Sequence, residues 1–84
     1  MLTYKRVTVY WIDSITHMGW EPIEKYKDTK PESCETTGYL IMEKDDYITI
    51  ALSISDVDVN GTVVIPKQCV SKIEELNYYL SIYL

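Results

Sequence analysis

The chain has no phenylalanine, one histidine, two cysteines, and three each of glycine and proline among its 84 residues. Each shortage closes off a class of protein. Two cysteines, Cys34 and Cys69, allow one bridge at most, so this is not a disulfide-dense scaffold. With His17 as the only imidazole there is no ligand pair at zinc spacing; a zinc site would have to gather His17, Cys34, Cys69 and a carboxylate from separate places. The glycines and prolines are too few for a low-complexity or collagen-like segment. No apolar run approaches the roughly 20 residues of a membrane-spanning helix. Met1-Leu2-Thr3-Tyr4 leads directly into strand-like sequence without the apolar centre of a secretory leader. We therefore expect a cytoplasmic protein, apart from membranes, with both thiols reduced.

Positive charge is also scarce. Eight Lys and Arg face thirteen Asp and Glu, for a net charge of −5. The densest basic group, Lys25, Lys27 and Lys30, is interleaved with Glu24 and Asp28, which cancels most of its field. Such a surface repels phosphate backbones, so duplex nucleic acid is not expected as a partner.

What is present is an ordinary globular share of apolar residues, 46 %, carrying eight tyrosines and two tryptophans. Eighty-four residues make one domain, and one this small is marginally stable alone. Tyrosine favours half-buried rims and interfaces because its hydroxyl wants a partner. Both points lead us to expect a homo-oligomer.

Period-two patterning dominates the chain. Lys5 to Asp13 reads as a strand with apolar residues on both faces, as in a barrel or an interface. Glu21-Pro22 opens a short helical segment, with Trp20, Ile23 and Tyr26 at three-residue spacing, closed by Asp28 to Pro31. Cys34 to Glu43 is a second strand, and Gly38 inside it marks a bend or bulge. Lys44-Asp45-Asp46 is a tight connection. Tyr47 to Ser55 is the cleanest strand, with Ile48, Ile50, Leu52 and Ile54 on one face. Asp56 to Gly61 reads as a hairpin turn through Asn60-Gly61. Thr62 to Ile65 then forms a short strand, Pro66 to Cys69 one helical turn, and Val70 to Leu76 a fifth strand. Residues 77–84 form an apolar, Tyr-rich segment that reads as a strand seeking a partner, within or between chains.

Five short strands, a glycine bend and one helical turn before the last strand predict a mostly-β, five-stranded SH3-like or Sm-like barrel over residues 1–76. Ile65-Pro66-Lys67-Gln68-Cys69-Val70 is its clearest local sign. An OB-type barrel would place a longer helix before its fourth strand.

Catalytic and metal motifs fail on inspection. Asp56-Val57-Asp58-Val59-Asn60-Gly61 matches half of a calcium-binding EF-hand loop, but Lys67 stands where the bidentate Glu belongs and strands flank it. Nothing brings Cys34 or Cys69 to His17 and an orienting acid. Asp45-Asp46 and Glu74-Glu75 are adjacent carboxylates, whose side chains diverge. No acid, base and nucleophile set emerges, and no cofactor motif, so we expect a non-catalytic protein. What remains is Trp11-Ile12-Asp13 with Trp20 seven residues further on, which could frame a pocket for a flat ring. The competing expectation is that both indoles plug the barrel ends.

These motifs resemble a group of small proteins encoded by tailed phages and prophages. The shared pattern is aromatic-x-Asp (Trp11-Ile12-Asp13), Gly-Trp (Gly19-Trp20), Cys-x-x-x-Gly-Tyr-Leu (Cys34 through Gly38-Tyr39-Leu40), then Ile65-Pro66-Lys67 and Lys72-Ile73. It spans Val7 to Leu76, and residues 77–84 lie outside it. The resemblance implies an oligomeric Sm-like or SH3-like barrel acting in the host cytoplasm as an accessory or anti-defence factor, on a nucleotide-like ligand or a host protein. A bound nucleotide would engage Trp11, Asp13, Trp20 and Tyr39, with Lys67 at its phosphate. Two alternatives stand beside this reading: an Sm-like RNA-binding ring, and a virion-assembly component joined through its C-terminal strand.

Overall fold

A computed structural model describes residues 4–76; the expected C-terminal strand, 77–84, lies outside them. The protein is mostly β, with five antiparallel strands in one sheet: β1 (Arg6–Asp13), β2 (Glu32–Glu43), β3 (Tyr47–Ile54), β4 (Val59–Pro66) and β5 (Val70–Glu75). Two 3-10 turns complete it, Ile23–Tyr26 between β1 and β2 and Lys67–Cys69 between β4 and β5. The strand order is β4-β3-β2-β1-β5. Four strands thus form a meander, and the fifth returns to β1.

Among the described residues β4 and β5 are the two edges and do not pair, so the sheet they form is open. It is nevertheless curled. A flat five-stranded sheet would separate its edges by about 19 Å, four strand spacings. The chain from Pro66 to Val70 reaches at most roughly 14 Å. The turn Lys67–Cys69 touches both β1 and β3 as it closes that gap.

The curl builds the core. Val7 and Val9 of β1 pack with Ile48 and Ile50 of β3 and Ile65 of β4, all at most 2 % exposed. Each such side chain contributes about 1.5–3 kcal/mol by leaving water. β1 and β3 lie on either side of β2, so their side chains meet only if β2 stays out of the way. Gly38, paired with Val7, provides that room: an added Cβ would stand 2.8 Å from Ile50 Cγ2 and 2.5 Å from the Ala51 carbonyl oxygen. The bulge itself falls beyond it, between Leu40 and Met42.

The opposite face of β1 is less apolar than expected. Thr8 is buried there at 5 % exposure, its hydroxyl paired with that of Thr37 at 2.8 Å, while Ile12 is exposed. On β3, Leu52 shares the core face by register but is 71 % exposed, because the core ends before it.

One turn is displaced from its expected place. Val59 already pairs with Ile54, so Asn60 and Gly61 lie inside β4, and the turn is formed by residues 55–58. Ser55 decides this. Its Oγ accepts from the amides of Asp58 (2.9 Å) and Val57 (3.4 Å), and its own N–H donates to the Asp58 carbonyl at 2.8 Å. A hydroxyl that binds its neighbouring backbone competes well with an Asn-Gly pair. Gly61 keeps a left-handed φ of 72°, with the Leu52 side chain against it.

Gly38→Ala is expected to destabilise the protein by about 1–3 kcal/mol, since Ile50 and the β3 backbone must both retreat. Urea unfolding with an unchanged m-value measures this; a variant as stable as the parent would contradict the packing described.

Candidate functional site

The candidate residues divide between two faces of the sheet. Trp11 continues the core face of Val7 and Val9, half-buried against the core. Its indole N–H donates to Thr36 Oγ1 at 3.0 Å. Asp13, two residues on, is exposed at the end of β1, where its carboxylate accepts the Ser14 amide at 2.8 Å. Lys67 opens the 3-10 turn whose next residue but two, Val70, pairs with Trp11. Lys67 Nζ is bound to Glu43 at 3.3 Å. Asp13 thus stands at the end of β1 opposite Glu32, at the start of β2, while Lys67 is held against Glu43 at the other end of β2.

Tyr39 lies apart from Trp11. It pairs with Arg6 in register, which puts it on the face opposite Trp11 and five residues along β1, about 17 Å at strand rise. The Arg6 guanidinium lies over its ring, 5.6 Å from the centroid. A single flat ligand cannot touch both Trp11 and Tyr39.

Trp20 belongs to neither group. It stands in the connection of residues 14–31 between β1 and β2 and is fully exposed, at 103 %. It therefore plugs nothing. Met18 and Ile23 in the same segment are also largely exposed. Local contacts follow directly after Trp20. Lys25 N–H donates to the Pro22 carbonyl and Thr29 N–H to that of Tyr26, each at 3.1 Å. His17 meets Tyr26 edge-on with centroids 5.3 Å apart, and Lys25 pairs with Glu21 at 3.2 Å. The expected helical segment is one 3-10 turn; of its three-residue set, Trp20 and Ile23 face solvent and Tyr26 is half-buried against His17.

A polar cluster unmarked by any motif occupies the face that carries Thr8. Tyr10 lies between Glu35 of β2 and Lys72 of β5, its register partners, with the Lys72 ammonium 5.5 Å from its ring centroid. Lys72 also binds Glu74 at 3.1 Å. The Glu74 carboxylate holds the Tyr10 phenol above its ordinary pKa, assisted by partial burial and Glu35 and opposed by Lys72. Only strand pairing, not sequence spacing, brings these groups together.

The thiols are free. Cys34 donates weakly to the Glu32 carbonyl at 3.8 Å, and Cys69 packs on the core. Among the described residues, no group of three or more His, Cys, Asp or Glu side chains could hold a metal ion. No helix among them is long and apolar enough to cross a membrane. The chain matches no family model, no curated protein and no solved structure.

Glu74→Gln removes the charge that most disfavours the Tyr10 phenolate. The Tyr10 ring signals, followed by NMR against pH, should then titrate at lower pH than in the parent. An unchanged titration would show that Glu74 does not act on Tyr10.

Proposed function

We propose that this chain is a non-catalytic binding module, an SH3-like or Sm-like curled barrel, that self-associates and takes a host protein on its β1–β2 connection. The observation that carries the reading is the full exposure of Trp20 just before a hydrogen-bonded 3-10 turn, beside exposed Met18 and Ile23. Tryptophan dominates the energetics of protein interfaces far beyond its abundance. An apolar group displayed to water lowers stability unless something covers it in use. Connections longer than about 12–15 residues in small domains are commonly functional. The internal bonds of this one reduce the ordering cost of binding. The resemblance to phage-encoded accessory proteins makes a host defence protein the class of partner to seek.

A nucleotide-like ligand has less support. Tyr39 is on the opposite face from Trp11, the Trp11 indole N–H is already bonded to Thr36, and Lys67 is paired with Glu43. RNA has less still, because Lys5, Lys25, Lys67 and Lys72 each meet a carboxylate within 4.0 Å.

Trp20→Ala should leave stability within about 0.5 kcal/mol of the parent while abolishing partner binding. Native mass spectrometry of the protein exposed to host extract is the test. The parent should carry a protein of defined mass that the variant loses. Retention of only a few hundred daltons per chain would favour the nucleotide reading instead, and loss of about 3–5 kcal/mol in the variant would mean that Trp20 is core.

A further inference from the structure

The two edges of the sheet are protected differently. β5 carries Lys72, Glu74 and Glu75, and a register shift between Tyr10 and Trp11 bends it away from regular pairing. Charges and bulges of this kind are how an edge is kept from pairing with another chain. β4, Val59-Asn60-Gly61-Thr62-Val63-Val64-Ile65-Pro66, carries no charge, and its pairing with β3 has no register shift. After the left-handed Gly61, residues Thr62 to Ile65 form a β-branched run. Alternate residues there turn their backbone N–H and C=O away from β3.

The core face is also uncovered along this edge. Val59 is paired with Ile54 on that face and is exposed, Leu52 beside Gly61 is more so, and Val63 is half-buried. On the other face Val64 is 58 % exposed. Among the described residues, the edge thus offers backbone without a strand partner together with apolar side chains.

We propose that β4 is a homodimer seam, joined antiparallel to β4 of a second copy about a two-fold axis near Val63 and Val64. This deepens the self-association reading above and rests on it. Charge selects the occupant. Each copy carries −5, so two copies repel broadly. β4 is the edge strand along which they can approach with no charge facing charge. A two-fold contact requires one patch to complement itself, and an uncharged β-branched strand does so. Pairing also lays Val59 and Leu52 of each copy beside an extended, rather than a terminated, core face.

Two substitutions at Val64 test the seam. Val64→Lys and Val64→Glu each place like charges near the axis, and each should weaken dimerisation at least about tenfold in sedimentation equilibrium. An equimolar mixture of the two should restore it, which loss of folding could not do. Val57→Lys adds the same charge in the turn and should dimerise like the parent. In the parent, amide exchange across Thr62 to Ile65 should slow as concentration rises, with β5 unaffected. Association unchanged by both Val64 variants would overturn the seam and leave self-association standing. So would association abolished instead by Leu80→Lys or Ile82→Lys, which would assign it to the C-terminal segment. Failure of the mixture to restore pairing would overturn the two-fold arrangement. A parent that is monomeric at every concentration would overturn both the seam and the self-association reading.

Discussion

Ile50 occupies the space that a side chain at Gly38 would fill, and the rest of the molecule depends on that contact. A small sheet cannot bury much against itself while flat. The absence of a Cβ at Gly38 of β2 lets β1 and β3 fold toward each other, so valines and isoleucines that are not sheet neighbours become packing neighbours. The same curl brings the edges close enough for one 3-10 turn to join them. Curl, core and strand order are therefore one constraint seen at three scales.

That arrangement is economical and has two consequences. The core is small, so apolar residues at the ends of strands, such as Leu52 and Ile12, remain in water. The sheet is also left open, with one edge charged and the other neutral. The surface then sorts itself: an ion-paired, tyrosine-bearing face around Tyr10 and Lys72, an uncharged edge at β4, and an apolar display around Trp20. The last two are where the proposals above place another surface.

Strand positions were legible because alternation is a local signal that the pleat enforces; β1, β2 and β3 differ from their expected bounds by no more than two residues. The Lys67–Cys69 turn was legible for a similar reason, since Pro66 fixes where a strand must stop. The β3–β4 turn was misread because Asn-Gly is a strong pair signal, while the competing signal was a single serine whose effect depends on where its hydroxyl points. The candidate site was legible only in part. Trp11 and Asp13 follow each other at the end of β1, but spacing could not show that Lys67 would be held by Glu43 at the far end of β2, or that register would carry Tyr39 to the opposite face. Whether Trp20 was core or display was likewise hidden, because three-residue spacing marks an apolar stripe without saying what it faces. The Tyr10 cluster left no trace in sequence at all, being assembled from three strands.

The claim that Trp20 is displayed and not packed can be tested directly by fluorescence of a Trp11→Phe protein, in which Trp20 is the sole indole. Emission near that of free tryptophan, quenching by acrylamide as efficient as for the free amino acid, and little change on unfolding are the predicted results. A blue-shifted, shielded emission that moves red on unfolding would contradict the account and return Trp20 to the core.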